Sequence, residues 1–180
     1  MQPTTLREAN GTETPLPLYD RHLLCDAAGM FPAEFNSWEE IVIQTELARS
    51  GAVGWYRNPS RGAQESLGIT YEADGDTKIL RPDFIFFSAK ADGSISMDIV
   101  DPHGIQFGDA IPKLKGLANY AAKYGDKFRR IEGIAKIGEQ FRVIDLKDPA
   151  ARAAVAVAES ITSLFSGSAA TNYIPIAGST

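Results

Sequence analysis

"LRPDFIFF" (residues 80–87) and "SMDIVDPHG" (residues 96–104) decide how this chain folds. Each is an apolar run bounded by acid. Asp83 follows Pro82 in the first, and Asp101 precedes Pro102 and His103 in the second. The intervening "KADG" (90–93) has the residues of a hairpin turn. In an antiparallel hairpin the start of one strand lies beside the end of the next, so Asp83 and Asp101 come out as neighbours. Side chains alternate along a strand. Met97, Ile99 and Asp101 therefore share one side, and Asp98 and Val100 the other. His103 continues the Asp101 side if the chain stays extended. Two carboxylates placed together repel unless a cation or a proton intervenes. Their hard oxygens suit Mg²⁺ or Mn²⁺ better than zinc. The plainer alternative is that Asp83 caps a turn, Asp101 ends a strand, and His103 is an ordinary surface or hydrogen-bonded histidine.

Working outward, "NSWEEIVIQTELARSG" (36–51) predicts a helix. Ser37 is a candidate N-cap, Glu39 and Glu40 fall in the first turn, and Gly51 is a candidate stop. "AVGWYR" (52–57) and "LGITYE" (67–72) predict strands, joined by the loop "NPSRGAQES". After the central hairpin, "GDAIPKLKGLANYAAKYGD" (108–126) has helical spacing at Ala110, Leu114, Leu117, Ala118 and Ala121. "FRRIEGIAKI" (128–137) and "QFRVIDL" (140–146) predict two more strands. Asp148-Pro149 is an N-cap followed by a favoured first-turn proline, opening one last helix through "AARAAVAVAESITSLF" (150–165). The order predicts an α/β domain with a mixed central sheet flanked by helices. Residues 1–15 and 167–180, small and polar, read as tails around a domain at 16–166, with Tyr173 and Ile174 able to dock.

The chain has 180 residues, 44% of them hydrophobic, enough for one cored domain. Its net charge of -5 argues against a strong, independent nucleic-acid binder. It leaves room for a local basic face. Arg49, Arg57, Arg61, Arg81, Lys113, Lys115, Lys123, Lys127, Arg129 and Arg130 all lie in the central part. The lone cysteine, Cys25, excludes an internal disulfide and reads as a small buried hydrophobe. Trp55 and Tyr56 read as core. No apolar run reaches the ~18 residues of a membrane span. The N-terminus lacks the pattern of a signal peptide, so the expected location is cytoplasmic, with no membrane partner.

The hairpin resembles the PD-(D/E)XK nuclease superfamily, whose motif is Pro-Asp on one strand and Asp or Glu, any residue, Lys on the next. Pro82-Asp83 and Asp101-Pro102 match it, and the helix at "NSWEEIV" supplies Glu39 or Glu40 as the further ligand that the family has there. The run "GWYRNPSRG", "LRPDFIFF", "DIVDPHG", "PKLKGLANYA" is closest to the C-terminal nuclease-like region of type III restriction subunits and related DEAD/DEAH-box helicases. The likeness covers about residues 16 to 165. It implies a restriction-endonuclease-like fold and a Mg²⁺- or Mn²⁺-dependent endonuclease acting on DNA. Asp83, Asp101 and Glu39 would be the ligands. It further implies a setting in restriction or anti-phage defence with a helicase, and a homodimer is a further possibility. The departure is His103 where the family has Lys. His103 would then stand in for the lysine, or Lys113 or Lys115 would reach back from the following helix. Arg57, Arg61, Lys113 and Lys115 become candidate phosphate contacts. A catalytically inactive module of this fold, binding DNA or a protein partner, is the alternative. No G-x-x-x-x-G-K-[ST] is present, so a motor would be a separate subunit or another domain. The "LYDRHLLCD" opening resembles the junction that follows such a motor.

Overall fold

A computed structural model describes residues 4–7, 9, 11–102 and 109–174. His103 lies outside the described residues. In chain order the elements are β1 (Thr5–Arg7), β2 (Glu13–Pro15), β3 (Leu18–Asp20), β4 (Met30–Pro32), α1 (Ser37–Leu47), β5 (Ala52–Arg57), β6 (Ile69–Ala73), β7 (Asp76–Leu80), β8 (Phe84–Ala89) and β9 (Ile95–Pro102). They continue as α2 (Ala110–Tyr124), a short 3₁₀ turn (Gly125–Lys127), β10 (Arg130–Ile137), β11 (Gln140–Asp145), α3 (Pro149–Val157), α4 (Ile161–Ser166) and β12 (Thr171–Asn172).

The main sheet has the order β12-β11-β10-β9-β8-β5. β5, β8 and β9 run antiparallel in turn, whereas β10 lies parallel to β9. A parallel neighbour requires a crossover, and α2 supplies it. Register pairs Phe84 with Val100 and Ile85 with Ile99, so one residue beyond the ladder Asp83 meets Asp101, as the hairpin reading requires. The mixed α/β class is the one expected.

Alternation splits the core into two layers. Trp55, Phe84, Phe86, Val100 and Ile134 face α1 through Val42 and Ile43. Ile99, Ile131, Ala135 and Ile144 face the other side, against Leu114 and Leu117 of α2 and the residues of α3 and α4. Leu114 and Leu117 have no exposed surface. Each such burial contributes about 1.5–3 kcal/mol. The β6–β7 hairpin also packs on α2. A methyl group on Gly116 would sit 2.5 Å from Tyr71 Cβ, so only glycine lets the helix approach that closely. The hairpin turns at Asp74 and Gly75, both with positive φ (57° and 80°), the geometry of a type I′ turn. β7 is a strand beyond those expected from the sequence, where Pro82 marks only the start of the next one.

Several ends differ from expectation. Asn36, not Ser37, caps α1; its Oδ1 accepts from the backbone N–H groups of Trp38 and Glu39, and Glu39 returns the bond to Asn36 N–H. The last helix is two, because Ala158 is extended (ψ 138°) and Ser160 caps a new start. The expected N-terminal tail contains the β1–β2 pair. In the expected C-terminal tail, β12 joins the sheet and Tyr173 is buried, while Ile174 is 77% exposed. Cys25 is exposed rather than buried. Among the described residues no helix is long and apolar enough to cross a membrane.

Candidate functional site

The strand ends bring Asp83 and Asp101 together. Asp83 N–H donates to Asp101 Oδ1 at 2.9 Å. Both line a cavity of about 310 Å³ on the α2 side of the sheet, with Ser60, Arg81, Asp109 and Lys113 among its other walls. Asp101 is buried, at 4% exposure. Burial pushes its carboxyl up to about 7, against the opposing pull of the Asp83 N–H and the Lys113 ammonium. Lys113 pairs with Asp109 one helical turn away at 2.7 Å. That contact holds the Asp109 carboxyl below its ordinary range. The start of α2 enters the same cavity at Ala110, so the helix dipole adds positive potential there.

Asn58 fixes the near wall. It is 3% exposed and fully used. Its Nδ2 donates to Leu67 and Pro82 carbonyls, its Oδ1 accepts from Leu67 N–H, and its own N–H donates to Asp83 O. The loop of 58–66 is thereby tied to the residue that carries the first carboxylate. Asn58→Ala leaves the buried Pro82 carbonyl and the part-buried Leu67 N–H and carbonyl without their side-chain partner and is expected to lower stability by about 2–4 kcal/mol. Urea unfolding measures this, and a loss below about 1 kcal/mol would contradict the clamp. In the sequence Asn58 stands out only as an Asn opening a Pro-containing loop, a common turn signal.

The other expected site residues are placed differently. Glu39 belongs to the opposite layer, where its Oε2 completes the helix cap and its Oε1 accepts from Arg57 Nη2 at 2.9 Å. Glu40 accepts from the Tyr19 hydroxyl at 2.8 Å. A helix glutamate therefore does not join the pair. Among the described residues no set of three or more His, Cys, Asp and Glu side chains is gathered for a metal ion. Arg57, expected as a phosphate contact, is held by Glu39, by the Glu34 carbonyl and by stacking over Phe35 at 4.6 Å. Arg61 is exposed and Lys115 half-buried, so both remain accessible. His103 is outside the described residues.

Two further polar centres escaped the sequence reading. His22 is buried, stacked on Phe31 with ring centroids 3.5 Å apart, and burial lowers its imidazole to about 4. It anchors the segment before β4 to the edge of β5, where Leu23 N–H donates to Trp55 O and Trp55 N–H to Arg21 O. On the α1 side, Arg130 bridges Asp98, Glu46 and Glu132. Arg129 also binds Asp98, Arg49 binds Glu46, and the Tyr173 hydroxyl donates to Glu46 at 2.9 Å. Three arginines of the expected basic face therefore belong to this ion network.

No solved structure matches the chain. Protein YagJ of Escherichia coli (strain K12) is 46% identical to it over 170 residues, which make up 94% of this chain and 69% of that protein. The sequence profile of the YagJ family matches residues 20–174. That span contains the main sheet, its helices and every wall of the cavity named above, and the chain belongs to the YagJ family.

Proposed function

We propose that the chain is a metal-dependent DNA endonuclease domain with a restriction-endonuclease-like core, working with a helicase in restriction or anti-phage defence. The carrying observation is one cavity that joins two adjacent carboxylates, Asp83 and Asp101, to the Lys113 ammonium. The mixed sheet lends support: β5, β8 and β9 run antiparallel, α2 crosses over, and β10 lies parallel to β9, so Asp83 and Asp101 sit at neighbouring strand ends with helices packed on both faces.

The donor set fits Mg²⁺ or Mn²⁺. Mg²⁺ takes one or two carboxylates and completes its shell with water and substrate phosphate. Asp83 and Asp101 would hold it, and Asp101, buried and reluctant to ionise alone, gains from a cation. The ion would supply Lewis-acid polarisation of the phosphate and a more acidic bound water. The chain's own residues do the rest. Lys113, oriented by Asp109, places a positive charge beside the cavity where negative charge develops on the phosphate. Arg61 and Lys115 offer accessible cations for flanking phosphates. Buried Leu80 adds an apolar patch to the cavity wall.

The Lys113–Asp109 pairing also favours a second reading, a catalytically inactive module of the same fold that binds DNA. The experiment is cleavage of supercoiled and linear DNA in Mg²⁺ and in Mn²⁺, by wild type and by an Asp83→Ala/Asp101→Ala variant. The expected result is cleavage by the wild type and a loss of at least about 10³-fold in the variant, the scale of removing an electrostatic stabiliser. Undiminished cleavage by the variant would end the reading. DNA binding without cleavage in either metal would favour the second one.

A further inference from the structure

Arg81 differs from the other arginines around the sheet. Arg49, Arg57, Arg129 and Arg130 each lean on a carboxylate. Arg81 Nε is buried and has no hydrogen-bond partner among the described residues. A guanidinium cannot shed its proton to escape this, and a buried donor left without an acceptor costs about 1–3 kcal/mol, more when charged. The side chain is half-buried and lines the same cavity as Asp83, Asp101 and Lys113. A methyl group on Gly62 would lie 3.3 Å from Arg81 Nη2, so the loop that Asn58 ties down comes close to the far end of the guanidinium. A half-buried arginine at a cavity wall, its Nε–H without an acceptor among the described residues, leaves the rest of its guanidinium to an acceptor that enters the cavity. The acceptor that suits it is anionic and has oxygens spaced for a guanidinium fork, which describes a phosphodiester.

We propose that Arg81 is the phosphate clamp of this cavity, receiving an anionic oxygen of a nucleic-acid backbone beside the Asp83–Asp101 pair. The assignment rests on the nuclease reading for the identity of the ligand. Its own consequence is binding: Arg81 holds the strand whether or not the strand is cut. It predicts one phosphate contact that disappears with the charge, and that weakens when the charge is kept without the fork.

Fluorescence anisotropy of a labelled DNA duplex in EDTA, where metal-dependent cutting is suppressed, tests this for wild type, Arg81→Gln and Arg81→Lys across a salt series. Arg81→Gln is expected to bind about 10-fold more weakly, with a log-log salt slope smaller by about 1. Arg81→Lys should keep the wild-type slope but lose affinity. A packing defect would not shift the slope in one variant and spare it in the other. Equal affinity and slope in Arg81→Gln, or a wild type that shows no salt-dependent binding, overturns the clamp. Should Arg81→Gln fail to fold, Arg81→Lys carries the test, and wild-type affinity in it overturns the proposal. Cleavage in Mg²⁺ judges the nuclease reading separately. Binding through Arg81 without cleavage keeps the clamp and retires the nuclease, and cleavage with an unchanged Arg81→Gln slope does the reverse.

Discussion

Asp101→Asn is expected to yield a protein that is more stable and, under the proposed nuclease function, inactive in DNA cleavage. Burial pushes the Asp101 carboxyl up to about 7 in the folded protein, against ~3.9 in an unfolded chain. Between those values the folded state holds a proton that the unfolded state has released. Stability from that proton is complete below about pH 4 and is lost as pH rises through about 7. Above it, the folded protein carries a buried carboxylate at full cost. Asparagine keeps the oxygen that accepts from Asp83 N–H and removes the charge. The gain in EDTA should therefore be small at pH 4–5 and grow toward pH 8. Its ceiling is about 4 kcal/mol, from roughly three pK units at 1.36 kcal/mol each. Thermal unfolding at both pH values measures it. Mg²⁺ should raise the melting temperature of the wild type but not of the variant, since a ligand stabilises only the form that binds it. Identical wild-type and variant melting curves at pH 8 would show that Asp101 is not held at a cost, and would remove the physical motive for a cation there.

Arg130→Ala carries the second large effect. One guanidinium satisfies three carboxylates: Asp98, which is 0% exposed, Glu46 at 2%, and Glu132 at a Nη1–Oε2 distance of 3.0 Å. The arginine is held firmly protonated; burial opposes its charge, and contact with Glu46, Glu132 and Asp98 outweighs that. Its removal leaves negative groups buried from α1, β9 and β10 with too few partners. The expected loss is about 3–5 kcal/mol, a large share of the ~5–15 kcal/mol that stabilises a typical domain. The defect should shrink as pH falls and the stranded carboxylates take up protons. Glu132 leads this change, because burial already pushes its carboxyl up to about 7. Urea unfolding at pH 5 and pH 8 gives both numbers. A loss below about 1 kcal/mol at pH 8 would mean that the network is dispensable.

These two variants separate what the acidic residues of one strand do. Asp98 and Asp101 sit three positions apart on β9 and point to opposite faces. Asp98 meets two arginines, which with its own burial set against them leave its carboxyl below the ordinary range, whereas Asp101 meets burial and is pushed the other way. The first is a structural ion pair. The second is the group that gains most from a ligand.

Sequence alone determined the strand period, the hairpin and its turn, and hence the meeting of Asp83 and Asp101. Those are local consequences of alternation and turn chemistry, acting over about twenty residues. Lys113 as a second-helix cation was also legible, because helical spacing from Ala110 fixes which side of α2 it occupies. What only the tertiary structure decided are contacts between groups far apart in the chain. Glu39 looked like a ligand but faces the other layer, bound to Arg57 eighteen residues away. Arg129 and Arg130 looked like solvated cations but answer Glu46, eighty-four residues from Arg130, and Asp98. Tyr173 closes the same network from the C-terminal segment, 127 residues from Glu46. Arg81 reads as an ordinary charge beside a Pro-Asp motif until the fold brings Gly62 close to its far end and leaves its Nε without an acceptor among the described residues. Period and turn chemistry fix the side on which a residue lies; which opposite charge comes to face it depends on how the layers close, because desolvation and pairing arise only once distant segments share one low-dielectric interior.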